Sequence, residues 1–305
     1  MTRKAYGQLE DWVLSQFEYH QPFFLKGTKY LVDRAAKPRP SAGGGECKTD
    51  VFVEGSSQSG KTVQLKISVK TRSTSEFQQN KVSAVIAEAY FGPNWSTIIR
   101  EAILSIEDAF RKQELIDANG RYPTRPNSIK LGWKLEIANK PRALSVKVPL
   151  SEQEIRDFVY KGTNQPTEKQ DALVNDEIII KSGIAEYLLV TEIEEINSTD
   201  DVINQLVLID EADIGDTYLI FTANNYRTDV DKTDGPRPLA VQIEWLVDSG
   251  ELGAILILDE PLEKTGEGDM KGPLVSALKD LDIYVPCKLP GNITYHYLDL
   301  KGKKI

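Results

Sequence analysis

An alternating stretch that begins at three consecutive glycines constrains the fold most strongly. It covers residues 43–70 and has the sequence GGGECKTDVFVEGSSQSGKTVQLKISVK. Its second half would place one set of side chains on one face and a second set on the other: Val63, Leu65, Ile67 and Val69 against Gln64, Lys66, Ser68 and Lys70. This period of two is typical of a β-strand with one buried face. The sequence therefore predicts antiparallel strands at 50–54 and 61–70, joined by a turn at 55–60.

The same segment supports a second interpretation. The residues from Gly55 to Thr62 fit the phosphate-loop pattern G-x-x-x-x-G-K-[ST], which would make the protein a P-loop ATPase. A working phosphate loop leads directly into a helix, whereas the residues after Thr62 are β-branched and alternate as in a strand. An acidic strand end at 206–213 also suits an ATPase, but the next predicted strand, 218–222, follows so closely that the pair predicts an antiparallel hairpin. The hairpin is favoured, and the ATPase remains the alternative.

The predicted hairpin would assemble a metal site. Counting outward from a turn centre near Gln58 places Asp50 opposite a point near Lys66, on the same face as Gln64. A carboxylate such as that of Asp50 can hold Mg²⁺, and Gln64 can complete the coordination shell or orient water. A lysine beside the metal can orient or deprotonate that water, or stabilise the charge that develops on a phosphate. Asp50 and Gln64 are thus predicted metal ligands, and Lys66 is the predicted catalytic lysine.

These residues resemble a known family. The segment Lys48-Thr-Asp50-Val, the hairpin, and Val-Gln-Leu-Lys66-Ile-Ser-Val-Lys70-Thr look like the core of type II restriction endonucleases of the PD-(D/E)xK superfamily. The resemblance covers about the first third of the chain, residues 1–95. It implies a restriction-endonuclease-like mixed α/β core, Mg²⁺, double-stranded DNA as substrate, hydrolysis that leaves 5′-phosphates, and a cognate DNA methyltransferase. The local sequence Ile-Ser-Val-Lys-Thr favours Lys70 as the catalytic lysine, whereas the hairpin count favours Lys66. Both lysines therefore remain candidates beside Asp50 and Gln64.

The chain departs from that family at two positions. Thr49 stands where the family pattern has proline, and neither lysine has an acid two residues before it. Glu46, Glu76 and Glu88 are the candidate replacements for this second acid. Two further interpretations stay open: an ordinary amphipathic hairpin with an exposed polar face, and a non-catalytic DNA-binding protein on a nuclease-like scaffold.

Composition limits the other possibilities. The chain has 305 residues, a net charge of −9, two cysteines and two histidines, which excludes a disulfide framework and a His-rich metal centre. It contains no apolar run of membrane-spanning length and no apolar signal core near its start, so a cytoplasmic protein without membrane association is expected. A palindromic DNA site is most simply cut by two symmetric subunits, so a homodimer is expected. Cys47 lacks a nearby histidine in sequence and is predicted to be a packing residue.

Polar segments later in the chain are candidates for DNA contacts. Asn and Arg at 224–229 and 232–237 predict a target-recognition loop, because these residues read base edges in the major groove. Residues 122–126 predict a rigid connector that could touch backbone phosphate. Helices are predicted at 6–17, 77–92, 95–112 and 273–281, and Ser151-Glu-Gln-Glu154 fits a capping box.

Together these signals predict an α/β fold with a mixed central β-sheet flanked by helices and a β-rich C-terminal extension. The expected domains are a nuclease core at 1–150 and an extension at 151–305 that contributes recognition and dimerisation elements. The expected activity is that of a Mg²⁺-dependent, sequence-specific DNA endonuclease.

Overall fold

The computed structural model of the protein describes residues 5–72, 79–121 and 124–299. In those ranges the α-helices are α1 (Ala5–Ser15), α2 (Ala84–Phe91), α3 (Trp95–Ser105), α4 (Glu107–Arg111), α5 (Glu152–Glu154), α6 (Thr167–Gln170), α7 (Thr199–Gln205) and α8 (Lys271–Asp280). Short 3-10 turns lie at Gly92–Asn94 and Ile193–Glu195, and π-helical turns lie at Ile155–Lys161 and Gly266–Met270.

The strands of the first half of the chain are β1 (Pro22–Leu25), β2 (Thr28–Ala36), β3 (Val51–Ser56), β4 (Thr62–Thr71), β5 (Gln79–Lys81), β6 (Ile116–Asp117), β7 (Ser128–Ala138) and β8 (Ser145–Lys147). Those of the second half are β9 (Ala172–Val174), β10 (Glu177–Ile179), β11 (Tyr187–Thr191), β12 (Val207–Leu208), β13 (Tyr218–Arg227), β14 (Lys232–Thr233), β15 (Val241–Asp248), β16 (Glu251–Ile257) and β17 (Tyr295–Leu298).

The chain forms two compact units, each built from two segments. The first unit contains Met1–Gln78 and Leu150–Asp216, and the second contains Gln79–Pro149 and Thr217–Ile305. The chain therefore crosses between the units after residues 78, 149 and 216, which is a different division from the expected halves 1–150 and 151–305. The second half is rich in strands, but these strands are divided between the two units and do not form a separate extension.

A mixed sheet organises the first unit. Its six strands lie in the order β1-β2-β3-β4-β11-β12. The first four form an antiparallel meander, β11 is parallel to β4, and β12 is antiparallel to β11. The parallel pair needs a long connection, because β4 and β11 point the same way along the sheet. The prediction of an α/β protein with a mixed sheet is thus confirmed.

The predicted hairpin is present, with a different register. Val51 pairs with Ile67 and Ser56 with Thr62, and the Ser57 amide donates to the Lys61 carbonyl at 2.8 Å to close the turn. The turn centre therefore lies at Ser59, one residue later than the predicted centre. Each partner across the hairpin shifts by two residues as a result, so Phe52 rather than Asp50 faces Lys66.

The phosphate-loop interpretation of the segment from Gly55 to Thr62 is wrong. A strand, and not a helix, follows the segment from Gly55 to Thr62, so no helix terminus can gather backbone amides around a phosphate. Gly55 itself lies within β3, where a Cβ atom would approach the Phe23 ring to 2.7 Å. The hairpin predicted at 206–222 is also wrong, because β12 pairs with β11 in the first unit and β13 belongs to the second.

Both faces of the central hairpin strand are buried. Apolar side chains of α1, α7 and the sheet form one cluster: Leu9, Val13, Phe17, Val51, Val53, Leu65, Ile67, Val69, Leu189 and Val202. On the polar face, Lys66 is only 7% exposed and Ser68 only 3%. An exposed polar face, as the amphipathic-hairpin interpretation requires, is thus absent over these described positions. When both faces of a sheet are covered, the polar side chains of an inner strand are buried too. Such side chains need a hydrogen-bond or ion-pair partner.

A larger mixed sheet organises the second unit. Its nine strands include the path β14-β13-β7-β15-β16-β17, with β5 and β6 on β7 and β8 on β13. Phe110 contacts the rings of Trp133 and Phe221 edge-on, and Trp245 is also buried. The helices at 84–91, 95–111 and 271–280 match three predicted helices. The first was predicted from 77, but 79–81 form β5 instead, and 77–78 lie outside the described residues.

Candidate active site

Asp50 lies at the start of β3, where the next strand brings three donors to its carboxylate. Oδ2 accepts from the Val69 amide at 2.7 Å, from the Ser68 hydroxyl at 3.2 Å and from Lys70 Nζ at 3.4 Å. Ser68 and Lys70 occupy alternate positions of β4 and therefore share a face. The side chains of Asp50 and Lys70 are each only 20% exposed, so the pair is largely withdrawn from water.

All three donors converge on Oδ2, and Oδ1 of Asp50 accepts no hydrogen bond from the described residues. The backbone amide and the hydroxyl hold the carboxylate in one orientation. The second oxygen is consequently fixed in place as a free acceptor. Such an oxygen is a suitable ligand for a hard cation.

Glu10 brings a second carboxylate into the same electrostatic environment. It lies on α1, and its Oε2 accepts from Lys37 Nζ at 2.8 Å. Burial raises the pKa of Glu10, the negative charge of Asp50 raises it further, and the positive charges of Lys37 and Lys70 oppose the rise. The charges of both Asp50 and Lys70 therefore affect the pKa of Glu10. Lys37 also pairs with Asp11 Oδ1 at 2.7 Å, which holds its ammonium against α1.

Lys48 adds a cation with an unusual titration. Its side chain is half-buried, and its methylene chain lies so close to Gly162 that a Cβ atom there would be 2.5 Å from Lys48 Cγ. The pKa of Lys48 is lowered to about 7, mainly by burial and in part by the positive charge of Lys70, while the charge of Asp50 acts in the opposite direction. A lysine in this state can exchange a proton at neutral pH.

Cys47 is chemically quiet despite its position next to this cluster. It is buried, and burial raises the pKa of its thiol to about 11. The thiol therefore stays protonated at neutral pH and is a poor nucleophile. This agrees with the prediction that Cys47 is a packing residue.

Of the two candidate lysines, the structure places Lys70 beside Asp50 and Lys66 elsewhere. Lys66 Nζ pairs with Glu186 Oε1 at 2.7 Å. Gln64, the predicted second ligand, donates from Nε2 to Glu54 Oε2 at 2.8 Å and lies opposite that residue in the hairpin. The shift of the turn centre explains both differences, because the count that joined Asp50 to Gln64 and Lys66 stopped two residues short of Ser68, the position that Asp50 actually faces.

The three acids proposed as replacements fall in different places. Glu46 is exposed in the segment before β3. Glu76 lies outside the described residues, and Glu88 belongs to α2 of the second unit whereas Asp50 belongs to the first. Glu10 was not a candidate. The only signal in the sequence was its place next to the core position Leu9 on a helix that precedes the hairpin.

The donor set fits a magnesium ion that retains most of its water. Within the described ranges, no group of three or more His, Cys, Asp or Glu side chains is arranged to hold a metal ion. Magnesium needs less than this, because it is commonly bound through one or two carboxylates and several waters. Asp50 Oδ1 would supply one carboxylate oxygen to such an ion, and Glu10 carries a second carboxylate whose pKa the charge of Asp50 raises.

No model of a known family, no curated protein and no solved structure matches this chain. The arrangement of the residues around Asp50 is consequently the main evidence on function. In the part of the chain that the structure describes, no helix is both long enough and apolar enough to cross a lipid bilayer.

Proposed function

We propose that this protein is a Mg²⁺-dependent, sequence-specific endonuclease of double-stranded DNA, of the type II restriction class in the PD-(D/E)xK superfamily. The observation that supports this best is the Asp50–Ser68–Lys70 arrangement on adjacent antiparallel strands. It matches the acid and lysine that the sequence resemblance implies. The mixed sheet around it matches the α/β core that the same resemblance implies.

A purely structural role explains this cluster less well. Removing an ion pair from water costs about as much as the pair returns, so a partly buried pair such as Asp50–Lys70 contributes little net stability. The neighbouring groups make the arrangement still less favourable, because Lys48 and Glu10 both have pKa values shifted against their charged forms. Several titratable groups that perturb one another in this way are typical of functional sites.

The residues divide the work of phosphodiester hydrolysis as follows. Asp50 and Glu10 would hold Mg²⁺, which supplies Lewis-acid stabilisation of the phosphate and lowers the pKa of water. Ser68 and the Val69 amide fix the Asp50 carboxylate. The Lys70 ammonium offsets the negative charge that develops on the phosphate oxygens.

Proton transfer completes the reaction. A water oxygen bonds to phosphorus, the bond from phosphorus to the 3′-oxygen breaks, and the 5′-phosphate and a 3′-hydroxyl are left. Lys48, with a pKa near 7, is the neighbouring group that can accept the proton of the attacking water. The leaving 3′-oxygen takes a proton from solvent.

The remaining parts of the proposal follow from a restriction function. A net charge of −9 disfavours non-specific coating of DNA, so binding would depend on local basic surface and on sequence. A homodimer would present two copies of Asp50 to the two strands of a palindromic site. A partner DNA methyltransferase would protect the host genome by modifying its recognition sites, and a cytoplasmic location would bring the protein into contact with incoming DNA.

Incubation with plasmid DNA tests the proposal directly. Discrete fragments with 5′-phosphates are expected with Mg²⁺ and none with EDTA. Asp50→Ala should abolish cleavage and leave the fold nearly intact, whereas Lys61→Ala, at an exposed position of the hairpin turn, should cleave like the wild type. Cleavage by Asp50→Ala at the wild-type rate would refute the proposal. Sequence-specific binding without any Mg²⁺-dependent cutting would identify a non-catalytic DNA-binding protein instead.

A further inference from the structure

A third lysine lies in the surroundings of Asp50 and has no role in the site described above. Lys169 is half-buried on α6, in the second segment of the first unit. Among the described residues, its ammonium has neither an ion-pair partner nor a hydrogen-bond acceptor. Lysines on a protein surface are normally well solvated or paired with a carboxylate. A half-buried ammonium without a partner therefore needs another explanation.

Backbone contacts fix α6 against the segment that precedes β3. The Ser41 amide donates to the Glu168 carbonyl at 2.8 Å. At the other end of this segment, the Lys48 amide donates to the Gly183 carbonyl at 3.0 Å. Gly183 packs so tightly on α6 that a Cβ atom there would lie 1.8 Å from the Lys169 carbonyl oxygen. The backbone of Lys169 is thus held close to residues 42–47.

The side chain of Lys169 reaches the three glycines of that segment. A Cβ atom on Gly45 would lie 2.9 Å from Lys169 Nζ, so the ammonium rests directly against the Gly45 backbone. Gly45 has a φ of +97°, a conformation that favours glycine, and it is exposed. The ammonium of Lys169 therefore lies beside an exposed stretch of backbone, where a ligand from solvent can reach it.

Lys169 acts electrostatically on the same groups as Asp50. Burial raises the pKa of the Cys47 thiol, the positive charge of Lys169 opposes this rise, and the negative charge of Asp50 adds to it. Besides burial, the positive charges of Lys70 and Lys169 lower the pKa of Lys48. Three lysines from three different elements therefore surround Asp50.

The carboxylates nearby do not neutralise Lys169. Asp50 pairs with Lys70 at 3.4 Å. Glu10, whose pKa responds to the charge of Asp50, pairs with Lys37 at 2.8 Å. The protein as a whole has a net charge of −9, so an excess of positive charge at one place is a local feature. Such a local field favours the binding of an anion.

A phosphate suits this arrangement better than a carboxylate. An ammonium is a compact charge with three rotatable donors, and lysine is a common phosphate binder. A phosphate presents its oxygens in several directions, so lysines that approach from different elements can contact it together. A carboxylate presents two oxygens in one plane and is satisfied by fewer donors.

We propose that Lys169 is a substrate-binding residue that contacts a phosphate beside Asp50. The phosphate belongs either to a DNA strand or to a free phosphate ion. The choice of DNA rests on the proposed nuclease function, whereas the recognition of phosphate rests on the surroundings of Lys169. Asp50 lies in Met1–Gln78 and Lys169 in Leu150–Asp216, so a complete site requires both segments of the first unit.

Acetylation of individual lysines tests this contact without requiring cleavage. The protein is treated with N-hydroxysuccinimidyl acetate in EDTA, either alone, with inorganic phosphate or with linear plasmid DNA. Mass spectrometry then gives the extent of acetylation at each lysine. DNA should protect Lys169, because a contacted ammonium is shielded from the reagent. Lys61 is the internal control, since it is exposed at the turn of the hairpin, far along the strands from Asp50, and should react equally in all samples.

The salt dependence of DNA binding gives a second measurement. In EDTA, Lys169→Met should reduce the slope of log affinity against log salt concentration by about 0.9, the value for one lost phosphate contact. Lys169→Arg keeps the positive charge and should keep the slope of the wild type. Lys61→Met is the matched control and should also keep it.

The results distinguish this proposal from the nuclease. If neither phosphate nor DNA protects Lys169, the proposal is wrong, and it is equally wrong if DNA protects Lys169 but Lys169→Met leaves the slope unchanged. Protection by phosphate and not by DNA would identify a free ion as the ligand. Protection by DNA in a protein that never cuts plasmid would retain the phosphate contact and remove the nuclease. If Lys169→Met does not fold, the acetylation pattern of the wild type decides.

Discussion

Replacing Lys48 by methionine should change how the stability of the protein depends on pH. Burial lowers the pKa of Lys48 from 10.5 to about 7 in the folded protein. The unfolded chain therefore binds more protons than the folded chain between these two values, and the free energy of unfolding rises with pH through that window. Below pH 7 the ammonium is charged in both states, and the folded protein incurs the full cost of burying it. Lys48→Met removes this cost.

The size of the effect follows from the same two values. Between pH 6 and pH 9 a folded-state pKa of about 7 adds about 2.7 kcal/mol to the free energy of unfolding of the wild type relative to Lys48→Met. This is the upper end, because a half-buried ammonium keeps part of its hydration. This value is the difference in the free energy of unfolding between the two proteins, so the contributions of other groups that titrate in this range cancel.

Urea unfolding of both proteins at pH 6, 7, 8 and 9 measures the difference. Hydrogen exchange of the β4 amides gives the same quantity for the first unit alone. Lys61→Met, at an exposed turn position, is the baseline for a lysine-to-methionine change. The free energy of unfolding of the wild type minus that of Lys48→Met should rise with pH. If this difference stays constant or falls, burial does not disfavour the charged form of Lys48, and Lys48 is not the proton acceptor.

The remaining predictions concern cleavage and packing. Lys70→Met should lower the cleavage rate at least about 100-fold because the cation beside the phosphate is lost, whereas Lys66→Met should cleave like the wild type; equal losses in a plasmid assay would contradict the choice of Lys70. Glu10→Gln should raise the Mg²⁺ concentration needed for half-maximal cleavage, and an unchanged metal titration would exclude it as a ligand. Gly132→Ala should destabilise the second unit by about 3 kcal/mol or more in thermal melts. The reason is that the φ of Gly132 is +146° and a Cβ atom would lie 2.2 Å from the Val241 carbonyl oxygen. Gly291→Ala is the control, because Gly291 has open space around it, and this variant should melt like the wild type.

Local signals predicted much of the secondary structure. The alternation at 61–70 became β4, and the Ser151 capping box formed with Glu154 as expected. Both depend on neighbours a few residues apart, which a sequence displays directly. The hairpin register depended on where the turn closes. The hydrogen bond from Ser57 to Lys61 set that point one residue away from the predicted centre, and no alternation pattern contains this information.

The site was only partly predictable for a related reason. Asp50 and Lys70 were named because they lie on the two strands of one hairpin. Glu10 and Lys48 were missed because their proposed roles depend on burial and on charges brought together by packing. Glu10 belongs to no sequence motif, and the motif segment that begins at Lys48 says nothing about the burial of that lysine. The division into two-segment units has no local signal, because β4 pairs with β11 across a long stretch of chain in which 79–149 belong to the second unit.

The parallel pairing of β4 with β11 also decides which pieces of this chain can be made separately. A fragment that stops at residue 150 would retain Asp50 and Lys70 but lose the strand that hydrogen-bonds along Ile67–Thr71. The edge of β4 would then be open to strands of other molecules, a familiar route to aggregation. During synthesis on the ribosome, β4 cannot pair with β11 until the residues between them, 72–186, have emerged. Truncated versions of the protein are therefore expected to precipitate. A deletion variant that joins residues 78 and 150 through a linker and ends at 216 is the rational route to an isolated first unit.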